Sequence, residues 1–167
     1  MTKIEPLRVN GWTILAHDLF LDQIEAMISA AERDRARHPD GYKTRAAAKM
    51  LAAVARLAFH DIPRDPASGE YRQGNTLGAD YRHWRRAKFY QQFRLFFRYR
   101  EAEKIIVYAW INDASTRRAY DSKTDAYAVF KKMLDAGNPP GDWAALMAAC
   151  GEDASKRLDH VAAEVRR

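Results

Sequence analysis

The run Trp84-Arg-Arg-Ala-Lys-Phe-Tyr-Gln-Gln-Phe-Arg-Leu-Phe-Phe-Arg-Tyr-Arg100 alternates cations and aromatics with period two. Trp84, Arg86 and Lys88 share one parity, and Arg85, Ala87 and Phe89 the other. Beyond Tyr90-Gln91-Gln92 the alternation resumes, with Arg94, Phe96 and Arg98 set against Leu95, Phe97 and Tyr99. A helix of period 3.6 cannot sort residues this way. Two antiparallel strands joined by a short loop can, with a row of cations on one face and a packing surface on the other.

The elements around this hairpin follow from their own patterns. Residues 8–16 read as a first strand, in which Asn10-Gly11 marks a bulge or a late start. Asp18 is a suitable cap for a helix to about Arg37, with Phe20, Ile24, Met27, Ile28 and Ala31 on one face. His38-Pro-Asp-Gly41 is a turn, and an alanine-rich second helix runs from about Tyr42 to His60. Residues 61–82 carry Pro63, Pro66, Gly69, Gly74 and Gly78 and read as a long loop with a short strand near Tyr71–Leu77. The β-branched run Lys104–Asn112 is a buried central strand, followed by a polar loop to Asp121. Thr124 and Asp142 can cap two further helices, the first ended by Gly137, and residues 152–166 repeat apolar side chains at helical spacing. The expectation is an α+β domain over residues 1–150, with helices gathered on one face of an antiparallel sheet. Residues 151–167 form a C-terminal helical extension.

Charge locates the functional surface. Residues 71–100 hold eight Lys and Arg against Asp80, a net +7, whereas the whole chain carries +6. Nine of the 19 aromatics lie in the same interval. Cations interleaved with stackable rings suit a polyanion bearing bases, hence nucleic acid. A solvated strand face whose arginine stems cover apolar surface would show the same pattern.

Other chemistries lack their residues. The five histidines are widely spaced without HxxxH or HExxH, the lone Cys150 rules out a disulfide framework, and neither GxxxxGK[ST], GxGxxG nor GxSxG occurs. No resident metal or cofactor is expected. The chain has no apolar run near ~18 residues and no apolar leader, which points to the cytoplasm rather than a membrane. What remains is phosphodiester chemistry on RNA, which carries its own nucleophile in the 2′-hydroxyl. The protein then positions that group, neutralises the phosphate and moves protons.

Several strings resemble the YhaV family of bacterial toxins: Arg8-Val-Asn-Gly-Trp12, Trp84-x-Arg-x-Lys-Phe89, Arg94-Leu-Phe-Phe-Arg-Tyr99, Trp110-x-Asn-Asp113, Lys123-Thr-Asp-Ala-Tyr127 and Gly137-x-Pro-Pro-x-Asp-Trp143. They run in order from about residue 8 to 147. The resemblance implies a RelE-like fold and a type II toxin–antitoxin system. It implies an endoribonuclease that cuts mRNA in association with ribosomes. It further implies neutralisation by a PrlF-like antitoxin of the AbrB swapped-hairpin type, with which the toxin represses its own operon by binding operator DNA. Carried onto this sequence, the pattern names Arg86, Lys88 and Arg94 as catalytic, with Arg118 and Tyr120 from the exit loop for substrate contact and proton transfer. Arg82, Arg85, Arg98 and Arg100 fall to RNA binding. Tyr127 and Asp113 are weaker candidates, and His83 has the chemistry of a general acid without belonging to the matched strings. A non-catalytic nucleic-acid-binding or toxin-like regulatory subunit is the alternative.

Overall fold

A computed structural model describes residues 6–113 and 125–165. The chain opens with β1 (Arg8–Val9) and β2 (Trp12–Ala16), which pair as an antiparallel hairpin. Asn10 and Gly11 both take positive φ, 51° and 82°, as a two-residue hairpin turn requires. The Asn-Gly pair is therefore a turn, neither a bulge nor a late strand start. His17, one residue before the expected cap, closes the N-terminus of α1 (Asp18–Arg37), its side chain accepting from the Leu19 amide at 3.1 Å.

After a single 3-10 turn at Tyr42–Thr44, α2 (Ala46–Arg56) continues through a π-helical turn at Leu57–Asp61 into α3 (Ile62–Arg64). The second helical segment thus starts and stops about four residues later than its alanine pattern suggests. In the loop that follows, two 3-10 turns stand where a strand is expected, and its β-pairing with the sheet among the described residues is the isolated bridge Arg72↔Arg85.

The cationic hairpin forms as its alternation predicts: β3 (Arg85–Phe89) pairs antiparallel with β4 (Phe93–Arg100). Tyr90 and Gln91 occupy left-handed backbone at the tip, with φ of 44° and 62°. β5 (Ile105–Ile111) then pairs antiparallel with β4 and parallel with β2, giving the order β1-β2-β5-β4-β3. The sheet is therefore mostly, not wholly, antiparallel, and the α+β class holds. Between β4 and β5 the register slips: Phe96 faces Trp110 but Phe97 faces Tyr108. The extra residue, Ala109, puts two successive side chains, Ala109 and Trp110, into the same core.

The helices do not gather on one face. One face packs Ile14, Leu95, Phe97, Ile106 and Tyr108 against Phe20, Leu21 and Ile24 of α1 and Val54 of α2. The other packs Trp84, Phe96, Val107, Ala109 and Trp110 against α4 (Ala126–Asp135) and α5 (Trp143–Ala149). Both faces of the strands are apolar, so each needs a helical layer. Asp125 caps α4, accepting from the Tyr127 amide at 3.1 Å, and Asp142 caps α5 as expected.

The last helix, α6 (Glu152–Val165), returns to the first face, where Ala154, Leu158, Val161 and Ala162 are buried. Arg157 fastens it to α1, lying 3.1, 2.6 and 2.7 Å from Asp18, Asp22 and Glu25. Those three carboxylates stand one helical turn apart along one side of α1. Cys150 is a buried filler whose thiol burial pushes up to about 12. Among the described residues no helix is long and apolar enough to cross a membrane.

Candidate active site

The pleat decides which arginines meet. On the face toward α4, Arg86 pairs with Phe96 and Lys88 with Arg94, so Arg86 and Arg94 are diagonal neighbours across β3 and β4. Two like charges at that separation repel, and a group between them that accepts from both offsets part of the repulsion. Tyr127, in the first turn of α4, supplies that group. Its ring stands edge-on to Phe96 at 5.5 Å between centroids, and its hydroxyl accepts from Arg86 Nε at 2.9 Å and Arg94 Nε at 3.2 Å. With both acceptor positions engaged, the hydroxyl can act toward any third group only as a donor.

Main-chain carbonyls complete the grip. Arg86 Nη1 donates to Glu70 O at 2.6 Å, a group delivered by the 3-10 turn Gly69–Tyr71. Arg94 Nη1 donates to Gln91 O at 2.7 Å and Phe93 O at 2.9 Å in the hairpin tip. Arg94 is 5% exposed, Arg86 is half-buried and Lys88 is exposed. Among the described residues no carboxylate pairs with any of the three. Arg157, neutralised by three acids, shows how differently this fold treats a structural arginine. Arg86 and Arg94 are oriented by neutral oxygens, which leaves their charge to be met by an anion.

Asn112 supports this cluster from the end of β5. It is 1% exposed, accepts from the Arg94 amide at 2.6 Å and donates to Gln92 O at 2.9 Å. Asp113 follows it on the surface.

The remaining predicted residues lie elsewhere. Arg98 shares the face of Arg94 but is 9% exposed beneath α5, donating to Gly141 O at 2.8 Å. Its guanidinium sits 5.6 Å from the Trp84 ring and 5.1 Å from that of Trp143. Burial first, then the Arg100 charge, lowers its pKa to about 10. Arg100 lies 5.0 Å from the Trp143 ring and 3.5 Å from Glu103. Arg85 belongs to the opposite parity, with its guanidinium 5.7 Å from the Tyr99 ring, and Arg82 bonds Asn75 at 2.8 Å. His83 is held below its ordinary value by burial and by Arg98, beside which it lies. Arg118 and Tyr120 fall outside the described residues.

The geometry thus brings together Arg86, Lys88 and Arg94, and adds two groups that periodicity did not single out. Tyr127 reads as core, since its ring is core; only its oxygen reaches the two arginines. The Glu70 carbonyl is main chain and leaves no mark on sequence. Among the described residues no three His, Cys, Asp or Glu side chains converge as a metal-ion site would need.

Fold and site together define an α+β domain whose cluster of Arg86, Lys88 and Arg94, paired with no carboxylate among the described residues, suits an anionic ligand. The chain belongs to the YhaV toxin family, whose profile, described as a toxin with endonuclease activity of a toxin–antitoxin system, matches residues 14–151. It is 43% identical over 143 residues to the "Ribonuclease toxin YhaV" of Escherichia coli strain K12, covering 84% of this chain and 93% of that protein. The "Toxin YhaV" of Escherichia coli O6:H1 (strain CFT073) shows the same identity and coverage, as does that of Escherichia coli O157:H7. No solved structure matches the chain. The protein is therefore an endonuclease toxin with an antitoxin as its partner.

Proposed function

We propose that this toxin is a metal-independent endoribonuclease acting on mRNA, by attack of a 2′-hydroxyl on the adjacent phosphate. The O2′–P bond forms as the P–O5′ bond breaks, leaving a 2′,3′-cyclic phosphate and a free 5′-hydroxyl. One proton leaves O2′ and one arrives at O5′. Arg86 and Arg94 hold the non-bridging phosphate oxygens and offset the charge that grows on them. Lys88, exposed beside Arg94, adds a third cation or carries a proton. Tyr127 fixes the spacing of the two guanidinium groups. Arg118 and Tyr120 supply further substrate contact and proton transfer from the segment between β5 and α4. Arg82, Arg85 and Arg100 extend the cationic surface for RNA, with Arg98 beneath it. Residues 1–150 form the toxin domain, and residues 151–167 extend it.

The observation that supports this reading most is the sharing of one tyrosine hydroxyl by two guanidinium groups, with no neutralising acid among the described residues. The ribonuclease name of the K12 relative agrees with it. The partner is a PrlF-like antitoxin of the AbrB type, the substrate is mRNA on the cytoplasmic ribosome, and the toxin–antitoxin complex represses its operon at operator DNA.

The test incubates the purified toxin with RNA in EDTA, with and without ribosomes, and maps the ends. The expected outcome is cleavage leaving 2′,3′-cyclic or 3′-phosphate ends, lowered on the order of 10²-fold or more in Arg86→Ala and in Arg94→Ala. Binding without cleavage under both conditions would instead favour a non-catalytic nucleic-acid-binding subunit. Full cleavage by both variants would remove the two arginines from the site.

A further inference from the structure

Beneath the arginine pair lies a second set of hydrogen bonds. β5 ends at Ile111, where its pairing with β2 has already stopped at Tyr108. The main chain of Ile111 is taken up instead by a side chain from α1. Gln23 donates its amide nitrogen to Ile111 O at 2.5 Å and accepts from Ile111 N at 3.0 Å, as a neighbouring strand would. The next residue, Asn112, repeats the device in the other direction. Its carboxamide accepts from Arg94 N at 2.6 Å and donates to Gln92 O at 2.9 Å, while its own amide reaches Arg94 O at 3.4 Å. Each carboxamide has one orientation only, because each faces one N–H and one C=O.

We propose that Asn112, braced by Gln23 through Ile111, is a positioning residue that sets the place of Arg94 in the active site. The proposal rests on the reading of Arg94 as a phosphate-binding group. Arg94 is the second residue of β4, close after a tip whose Tyr90 and Gln91 lie in left-handed backbone. Two of its guanidinium bonds go to carbonyls of that same tip, Gln91 and Phe93. Such a guanidinium depends on the tip as well as on Tyr127, and Asn112 ties the tip and the Arg94 main chain to the sheet at once. Asn112 is buried and Gln23 lies on the far side of the strand end, so both act through Arg94.

The test compares Asn112→Ala, Asn112→Asp and Gln23→Ala, each assayed well below its own unfolding temperature. Asn112→Ala is expected to lower kcat on the order of 10²-fold, the cost of roughly 1 Å of misplacement. Its Kd for a non-cleavable 2′-O-methyl RNA should stay within about threefold of wild type. Asn112→Asp keeps an acceptor for the Arg94 amide but buries a charge and opposes the Gln92 carbonyl. It should therefore unfold at lower temperature than Asn112→Ala and yet cleave faster. Gln23→Ala should lower kcat by several-fold with RNA affinity retained, and it carries the test should Asn112→Ala fail to fold. The Arg94 Nε–Hε resonance should shift in the variants, a readout independent of cleavage. Activity that simply follows stability, with Asn112→Asp the slower, overturns the proposal, as does an unmoved Arg94 resonance. A wild-type protein that cleaves no RNA while the resonance still moves would sink the endoribonuclease reading and leave the positioning role standing.

Discussion

Tyr127→Phe isolates the organising group of the site, because it deletes one oxygen and leaves the ring. The contact with Phe96 at 5.5 Å and the apolar packing of α4 are kept. Among the described residues two hydrogen bonds are lost, from Arg86 Nε at 2.9 Å and Arg94 Nε at 3.2 Å. A hydrogen bond to a charged group contributes ~1.5–3 kcal/mol, with the upper end reserved for donors that water cannot reach. Arg86 is half-buried and water can replace its acceptor, so its share is small. Arg94, at 5% exposure, keeps a charged donor without a partner and dominates the loss. Together these give about 2–3 kcal/mol of stability. Chemical denaturation should show a lower midpoint at an unchanged slope, since the folded surface is unaltered. The guanidinium groups would also relax apart, and kcat should fall on the order of 10²-fold with a smaller change in KM. A double-mutant cycle with Arg86→Ala should return a coupling of about 1 kcal/mol. Stability within ~0.5 kcal/mol of wild type together with full cleavage would refute the reasoning.

Two further outcomes follow from groups outside the site. His17 caps α1 through an unprotonated ring nitrogen, and burial holds its pKa below the ordinary 6.5 against the pull of Asp18 and Asp22. The folded state thus prefers the neutral ring, so stability is complete above pH 6.5 and declines as pH falls below it. His83, also lowered by burial, adds with the same sign. Denaturation midpoints between neutral and mildly acidic pH should fall less steeply in His17→Ser, which retains a capping oxygen; an identical slope would contradict the assignment. Arg98→Ala should lower thermal stability through loss of the Gly141 bond and of both indole contacts, by about 2 kcal/mol. If instead RNA affinity falls with stability unchanged, Arg98 belongs to the binding surface rather than beneath it.

Much of the molecule was legible in its residues. The parity of Trp84–Arg100 dictates a hairpin and assigns Arg86, Lys88, Arg94 and Arg98 to one face, because side chains alternate along a regular strand. Helix stripes and caps placed α1, α5 and α6 to within a residue or two. The local charge excess pointed toward an anionic ligand, and the matched strings identified the family. All of this rests on near neighbours in the chain, where spacing alone decides geometry.

Only the tertiary structure decided the rest. Periodicity shows that a strand is apolar on both faces, but not which helix covers which, so α4 and α5 went to the face opposite α1, α2 and α6. The slip at Ala109 depends on how β5 packs between two cores, and nothing in Ile105–Ile111 marks it. Arg86 and Arg98 carry the same charge at the same parity, yet one meets a tyrosine hydroxyl and the other two indoles beneath α5. The hydroxyl of Tyr127 comes 33 residues after Arg94, and Asn112 comes 18 after it. Contacts at that distance in sequence are set by how the layers dock, so the sequence determines which cations share a strand face, and the docking of α4 and β5 determines which of them share hydrogen-bond partners.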